Sequence, residues 1–170
     1  MMSKKMADAI NEQINKEFYS AFLYLSMATK LEDMTLPGFA NWMRVQYEEE
    51  VFHAMKLLNH MVERGQRVHL KEIEAPPVEW DSPLEIFSEA YDHEVKVTGM
   101  INDLVRIAME DNDHATNQFL LWYVAEQVEE EDNTSTIRDK IKQVQEMPGG
   151  LYMLDKELAT RIFIPPPAGA

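Results

Sequence analysis

A helical stripe with a glutamate and a histidine near its middle lies around residues 41–56, which read NWMRVQYEEEVFHAMK. Steps of three and four residues place Met43, Gln46, Glu50, His53 and Leu57 on one helix face. Glu50 and His53 are one turn apart on this face, so both can hold the same metal ion. The stripe therefore predicts a helix whose inner face carries metal-binding groups.

Glycine and proline divide the rest of the chain into similar helical segments. Breaks near residues 36–38, 65–83, 111–113 and 148–150 leave predicted helices at 3–33, 37–64, 83–110 and 113–146. Ser3, Ser82 (followed by Pro83) and Asp113 are the expected N-caps. Since no segment alternates polar and apolar residues with period two, strands are not expected. The sequence predicts an all-α fold, a four-helix bundle.

The lengths of the connections predict the topology. Short turns join the first helix to the second and the third to the fourth, which favours antiparallel pairs. Residues 65–82 are long enough for a single crossover, since ~18 extended residues reach ~60 Å and a helix of ~28 residues spans ~42 Å. The second and third helices should then be parallel. A short fifth helix is expected to follow, with a stripe of Leu151, Leu154, Leu158 and Ile162.

Length and composition indicate one domain and exclude several classes of function. We expect residues 1–164 to form the bundle with its fifth helix and residues 165–170 to form a disordered tail. The 170 residues carry 16 Lys and Arg against 30 Asp and Glu, a net charge of −14, which disfavours nucleic-acid and anionic-membrane binding. The chain has no cysteine, so disulfides and thiolate sites are excluded. Without a signal peptide or a membrane-spanning apolar run, a cytoplasmic location is expected.

Each of the other helices also carries an acid on its predicted inner stripe. The acids are Glu17, Glu94 and Glu130, and Gln127 lies one helical step from Glu130. The predicted stripe of the third helix is Leu84, Phe87, Tyr91, Glu94, Thr98, Ile101, Val105 and Ala108. Because bundled helices of similar length align at their centres, these acids should meet at one level. Buried carboxylates need protons or cations to neutralise them, and bound metal is the simplest compensation.

The predicted ligand set suits iron or manganese, because it is rich in oxygen and has a single imidazole. Glu50 is the expected bridge between two ions. Glu49, Glu126 and Glu129 each precede an inner residue and form either a secondary cation site or a solvated face. Tyr24 either reaches a metal-bound carboxylate or is a plain buried tyrosine. His60 is expected at the bundle end, and the surface should hold His69, His93 and His114.

A second apolar stripe indicates assembly with other subunits. Phe18, Phe22, Leu25, Phe52 and Met55 lie outside the predicted inner stripes of the first two helices. A monomeric bundle would expose them, and an exposed apolar patch usually marks an interface.

Four segments together resemble the non-haem ferritins of bacteria and archaea. They are NEQINKEFYSAFLYLSMA at 11–28, the segment at 41–56, EAYDHEV at 89–95 and QFLLWYVAEQVEEE at 118–131. The resemblance extends from residue 6 to about 163. It implies a ferritin-like bundle that oxidises Fe(II) with O2 at a di-iron ferroxidase centre. It also implies that ferric mineral is stored inside a homo-oligomeric cage, of 24 subunits as in the family.

The same resemblance implies a role for each candidate residue. The first iron would be bound by Glu17, Glu50 and His53. The second would be bound by Glu50, Glu94 and Glu130, with Gln127 beside it. A third iron site would use Glu49, Glu126, Glu129 and Glu130. Tyr24 matches the tyrosine next to the centre.

Two positions depart from related di-iron proteins. A second Glu-x-x-His is replaced by Gln127-x-x-Glu130, which weakens the oxygenase, manganese-catalase and bacterioferritin interpretations. Phe52 occupies the position of the haem-ligating methionine of bacterioferritins, so no haem is expected. The alternative hypotheses are a discrete di-metal redox enzyme, either an oxygenase or a peroxide-consuming enzyme, and a non-enzymatic bundle whose polar residues serve specificity.

Overall fold

The structure is a computed structural model and describes residues 2–165. In this part of the chain it contains five helices and no strand, which confirms the all-α prediction. The helices are α1 (Lys4–Asp33), α2 (Pro37–Glu63), α3 (Pro83–Glu110), α4 (His114–Val144) and α5 (Gly150–Leu158). None of these helices has the length and apolar character that crossing a bilayer requires.

Side-chain caps explain where three of the helices begin. Ser3 Oγ accepts a hydrogen bond from the Met6 amide at 3.0 Å. Ser82 caps α3 and Asp113 caps α4 in the same way, each at 3.1 Å. These bonds satisfy N–H groups that have no acceptor within the helix. The three N-caps predicted from the sequence are confirmed.

The beginning of α2 is capped from a distance by α5. The helix begins with Pro37 and has no side-chain cap of its own. Instead, Asp155 Oδ1 accepts from the backbone amides of Gly38 at 2.7 Å and Phe39 at 3.1 Å. Glycine is required at position 38, since a Cβ there would lie 1.7 Å from the Asp155 carbonyl oxygen. This contact fixes the short fifth helix against the bundle end.

Contacts between helix ends establish the predicted topology. Ser3 at the start of α1 donates to Asp111 at the end of α3, so these helices are antiparallel. Phe39 and Phe87, near the starts of α2 and α3, pack with ring centroids 5.9 Å apart. Because these two beginnings lie together, α2 and α3 are parallel. The single long crossover between them is therefore confirmed.

The crossover runs along α1 and is held there by polar contacts. Asn11 Nδ2 donates to the His69 carbonyl at 2.9 Å. Further along, Ser26 Oγ donates to the Pro77 carbonyl at 2.6 Å. Side chains of α1 thus supply hydrogen bonds that the backbone of an irregular segment lacks.

Apolar side chains form two clusters on either side of a central polar layer. One cluster includes Tyr24, Met27, Phe39, Met43, Phe87, Ala90, Ile137, Ile141 and Leu154. The other includes Met6, Ile10, Ile14, Leu57, Val97, Ile101, Leu120 and Tyr123. In each of the four long helices, the residues between these clusters include the predicted inner acid. We call Glu17, Glu50, His53, Glu94, Gln127 and Glu130 the polar layer.

The predicted inner stripe is wrong for half of α3. The structure half-buries Tyr91, Thr98 and Val105. In their place it buries the preceding residues, Ala90, Val97 and Leu104. The predicted stripe and the observed buried stripe are both largely apolar. They share the buried residues Phe87, Glu94, Ile101 and Ala108, so the hydrophobic pattern alone could not choose between them. Tyr91 lies at the edge, where its ring centroid is 4.3 Å from the Arg138 guanidinium carbon.

The fifth helix is shorter than its predicted stripe. Leu154 and Leu158 are buried, but the helix ends at Leu158 and Ile162 is exposed. Of the predicted disordered tail, residues 166–170 lie outside the described residues. The domain boundary at residue 164 stays a prediction.

The first test concerns the contact between α5 and α2. Asp155→Ala leaves the Gly38 and Phe39 amides buried without an acceptor, which should cost about 1–3 kcal/mol. Hydrogen exchange measured by mass spectrometry should show faster exchange in the first turn of α2 and in α5. The exposed Asp132→Ala serves as control. Unchanged exchange at Gly38 and Phe39 would contradict this role for Asp155.

Candidate metal centre

Each of the four long helices buries one carboxylate in the polar layer. The exposed fractions of Glu17, Glu50, Glu94 and Glu130 are 1%, 2%, 1% and 2%. His53 and Gln127 are buried with them. The structure therefore brings together six of the residues that the sequence singled out.

Glu17, Glu50 and His53 form the first group with metal-ligand spacing. One ligand atom from each residue lies within 4.8 Å of the others. His53 Nδ1 is 3.4 Å from Glu50 Oε2. Gln13 Nε2 donates to Glu17 Oε1 at 2.9 Å, while Glu17 Oε2 has no hydrogen-bond partner among the described residues. A buried carboxylate oxygen without a donor is costly, so this donor set fits a cation.

His53, Glu126 and Glu130 form a second group with the same spacing. His53 Nε2 is 3.6 Å from Glu126 Oε1, so the imidazole lies between the two groups. Tyr123 donates its hydroxyl to the His53 backbone carbonyl at 2.8 Å. The structure thus places Glu126 beside His53, a proximity that spacing along the sequence did not reveal.

Glu94 is held by two neutral donors. Tyr24 donates its hydroxyl to Glu94 Oε1, and Gln127 Nε2 donates to Glu94 Oε2 at 3.1 Å. Tyr24 is fully buried, and burial together with the charge of Glu94 raises its pKa well above 10. The tyrosine is therefore a protonated donor at neutral pH. Of the two interpretations of Tyr24, the structure supports contact with a carboxylate of the polar layer.

Glu130 is oriented by Gln46, which sequence reasoning did not select as a site residue. Gln46 is fully buried, and its Nε2 donates to Glu130 Oε2 at 2.5 Å. The signal was present, because Gln46 is a polar residue on the predicted inner stripe of α2. Gln13 carried no such signal, since it lies outside the predicted stripe of α1.

The three outer acids have different surroundings. Glu126 is half-buried beside His53, whereas Glu129 is exposed. Glu49 is half-buried and forms an ion pair with Arg161 from the segment after α5. The structure does not bring Glu49 or Glu129 into either group with ligand spacing among residues 2–165.

Protons take the place of cations in the metal-free polar layer. Burial raises the pKa of Glu94 to about 7, against the lowering effect of hydrogen bonds from Tyr24 and Gln127. Burial and the charge of Glu94 raise the pKa of Glu130 to about 8. Burial also raises the pKa of Glu50 well above 4.5. These shifts show that the layer cannot hold all its negative charges unaided.

His53 is the positive partner within this layer. Burial alone would lower the pKa of the imidazole, but Glu50 and Glu126 outweigh burial and hold that pKa well above 6.5. A cation bound at this place would compete with the proton on His53 and with the protons on the acids.

Of two other histidines, one lies where the sequence predicts it and the other does not. His93 was predicted at the surface, which is wrong: it is half-buried and its Nε2 lies 2.7 Å from Ser20 Oγ. Burial and the charge of Lys96 lower its pKa to about 4. His60 lies near the bundle end as predicted, buried and stacked on Phe119 at 3.9 Å. The prediction failed for His93 because the crossover and the outer face of α1 cover that side of α3.

Comparison with known proteins identifies the family. Residues 7–144 match the family described as the ferritin-like domain. The chain belongs to the ferritin family. The bacterial non-heme ferritin of Bacteroides fragilis is 40% identical over 95% of this chain and 100% of its own length. The Staphylococcus haemolyticus non-heme ferritin is 39% identical over 96% of this chain and 98% of its own.

Solved ferritin structures agree with this assignment. An Archaeoglobus fulgidus ferritin engineered into a closed form is 52% identical and superposes with a TM-score of 0.95, over 96% of this chain and 100% of its own. The open-pore ferritin of the same archaeon is 52% identical with a TM-score of 0.94, over 95% and 100% of the two chains. The family resemblance noted in the sequence is confirmed, and so is the ferritin-like bundle.

The raised pKa values predict how the stability of metal-free ferritin depends on pH. Glu94 and Glu130 ionise near 4.5 when unfolded but near 7 and 8 when folded, so the folded state binds more protons. Stability is then present below pH 4.5 and is lost as pH rises through 8. Between these limits the free energy of unfolding should fall by an amount on the order of a few kcal/mol.

Denaturant unfolding at several pH values measures this slope. Glu130→Gln should flatten it, because the amide cannot ionise, and the exposed Glu48→Gln should leave it unchanged. Saturating Zn²⁺, which is not oxidised, should restore stability at pH 8. The same slope in Glu130→Gln as in the unaltered protein would show that this carboxylate does not control the pH dependence.

Proposed function

We propose that this ferritin oxidises Fe(II) with O2 in the polar layer and stores the ferric product as mineral inside an oligomeric cage. The observation that carries this proposal is the burial of four carboxylates at one level, one of them with an oxygen that finds no donor among residues 2–165. Such a layer binds divalent cations at its centre. Membership of the ferritin family supports iron as the cation.

We assign the residues of the layer to two Fe(II) substrate ions. Glu17, Glu50 and His53 would hold the first ion, and their spacing supports this assignment. Glu50, Glu94 and Glu130 would hold the second ion, with Gln127 beside it. Each Fe(II) supplies one electron, so a pair of ions reduces O2 to the oxidation level of peroxide. The helices contribute by holding both ions at fixed positions, which lowers the entropic cost of the encounter.

Neighbouring residues would prepare the carboxylates for this task. Tyr24 and Gln127 orient Glu94 by donating one hydrogen bond to each of its oxygens, which leaves a lone pair on each oxygen for iron. The second ion has one histidine fewer than in di-iron proteins with two Glu-x-x-His motifs. Weaker binding of that ion favours release of the oxidised product.

A third iron site would use Glu49, Glu126, Glu129 and Glu130. The grouping of Glu126 and Glu130 with His53 supports a cation in this region. Exposed Glu129 is available to an ion arriving from solvent. Here Glu126 and Glu130 would serve as the inner ligands, and Glu49 and Glu129 as the outer ones.

We further propose a closed cage, of 24 subunits as the family resemblance implies. Apolar side chains remain exposed on the first two helices, among them Phe22 at 47% and Met55 at 40%. Covering them by neighbouring subunits would bury area that an isolated bundle leaves in water. The net charge of −14 is compatible with an interior that concentrates Fe(II). The cytoplasmic location expected from the sequence stays a prediction.

Loss of His53 should slow iron oxidation. His53→Ala removes the imidazole that lies between the two groups of ligand atoms, so the rapid rise in ferric absorbance after aerobic addition of Fe(II) should slow at least about tenfold. Glu48→Gln, an exposed change on the same helix, should oxidise iron at the unaltered rate. Equal initial rates for His53→Ala and the unaltered protein would overturn the assigned site.

An iron-storage cage and a discrete di-metal enzyme should form particles that differ in size and in iron content. A storage protein loaded with iron should elute from size exclusion as a large assembly, and electron micrographs should show an electron-dense core inside a shell. A discrete di-metal enzyme would instead elute as a small oligomer without mineral. That second outcome would overturn the storage proposal, even if His53 proved essential for oxidation.

A further inference from the structure

Arg161 approaches the metal centre from outside the four long helices. It lies in the segment after α5, and its side chain is 19% exposed. Nη2 donates to Glu49 Oε2, and Nη1 donates to Gln46 Oε1 at 2.9 Å. The guanidinium carbon lies 4.2 Å from the centroid of the Trp42 ring. A single guanidinium therefore contacts an acid, an amide and an aromatic face, all on α2.

The backbone of the same segment is fixed to α2. Asn41 Nδ2 donates to the Arg161 carbonyl at 3.0 Å. Two residues later, the ring of Phe163 packs against that of Phe52 with centroids 6.3 Å apart. These two contacts fix the backbone at and just after Arg161, so the guanidinium is held over Glu49. This arrangement differs from an exposed surface pair, since the side chains of Arg161 and Glu49 are only 19% and 22% exposed and the arginine backbone is hydrogen-bonded to α2.

The contacts of Arg161 lead directly to the polar layer. Glu49 precedes Glu50 in the chain and belongs to the proposed third iron site. Gln46 accepts from Arg161 with its oxygen and donates with its nitrogen to Glu130 Oε2. Both acids that Arg161 contacts, directly or through Gln46, therefore belong to that proposed third site. Among the arginine and lysine side chains of the described residues, the ion pairs found include no other cation on Glu49.

We propose that Arg161 is an internal cation that occupies the place of the third metal ion at Glu49. A metal ion that binds there must displace the guanidinium, so Arg161 lowers the affinity of the third site. This inference rests on the proposed third site. It makes Arg161 a positioning residue that acts through Glu49 and Gln46.

Competition of this kind makes the third ion bind last. Among the inner carboxylates, Glu17 and Glu94 accept hydrogen bonds from neutral amide and hydroxyl donors, whereas an ion at Glu49 meets an ion pair already formed. When the guanidinium leaves, Gln46 also loses a donor to its oxygen and is freer to turn away from Glu130. Occupation of the third site is thereby coupled to the ligand of the second ion. Such coupling favours transfer of iron outward only after the inner pair is filled.

Zn²⁺ titration of the metal-free, assembled protein tests the proposal without oxidation chemistry. Calorimetry should resolve two tighter events and a third, weaker event per subunit. Arg161→Gln removes the charge and should tighten the third event about fivefold, the effect expected for an ion pair of about 1 kcal/mol. Arg161→Lys keeps the charge and should stay within about twofold of the unaltered protein. Arg44→Gln breaks an exposed ion pair between α2 and Glu32 of α1 and serves as matched control.

A double variant separates competition from simple fastening of the segment. With Glu49→Gln already present, Arg161→Gln should give no further tightening, because the competing pair is gone. If Arg161 only fastens the segment, both Arg161→Gln and Arg161→Lys should lower the thermal midpoint and change all zinc events alike. That result would overturn the proposal.

Other outcomes distinguish the proposal from the function on which it rests. Two intact events with a third that Arg161→Gln leaves unchanged would refute competition but leave the two-ion centre in place. The same holds if no third event occurs in any of the variants. Loss of all three events in the unaltered protein would refute the centre itself. A third event that occurs only in Arg161→Gln would support competition most directly.

Discussion

The main constraint on this structure is the electrostatic free-energy cost of burying four carboxylates together inside a helical bundle. Two ionised carboxylates ~4 Å apart repel by ~4 kcal/mol at an effective dielectric constant of ~20. The ligand atoms of Glu17, Glu50 and His53 lie within 4.8 Å, so repulsion of this order acts here. The metal-free protein reduces it by retaining protons, as the raised pKa values of Glu94 and Glu130 show. Divalent ions would remove the same repulsion without protons, and binding them is the function that we propose for the layer.

The bundle tolerates this layer because apolar clusters close it on both sides. One cluster contains Tyr24, Met43 and Phe87, and the other contains Ile14 and Leu57. The crossover makes α2 and α3 parallel, and each acid lies near the middle of its helix, so all four meet at one level rather than being scattered along the axis. A small movement of one helix along its axis would separate the side chains that we propose to share an ion. The connection of 19 residues between Glu63 and Pro83 is thus part of the metal centre's construction.

Local patterns in the sequence predicted most of the fold, but contacts between residues far apart in the chain could not be predicted from them. Helix ends follow from Ser3, Ser82 and Asp113, because a cap acts within one turn. The prediction of the inner face of α3 was half wrong. Apolar residues occupy both candidate stripes, and only packing against the other helices decides which stripe is buried. The pairing of Arg161 with Glu49 could not be predicted, since 112 residues separate them and the segment has no periodic pattern. The six buried residues of the layer were predicted because a polar residue on an apolar stripe is a local signal.

Amide side chains orient three of the acids without placing a positive charge beside them. Gln13 donates to Glu17, Gln46 to Glu130 and Gln127 to Glu94. A lysine or arginine in these places would orient the carboxylates equally well, but its charge would cancel the attraction for metal ions. A glutamine orients the carboxylate equally well through a neutral N–H group, and it leaves the charge of the carboxylate available to a metal ion. Arg161 lies at the outer edge instead, on Glu49, where its positive charge competes directly only at the proposed third site. On the proposed assignment, the choice between amide and guanidinium donors sets the order in which cations enter the centre.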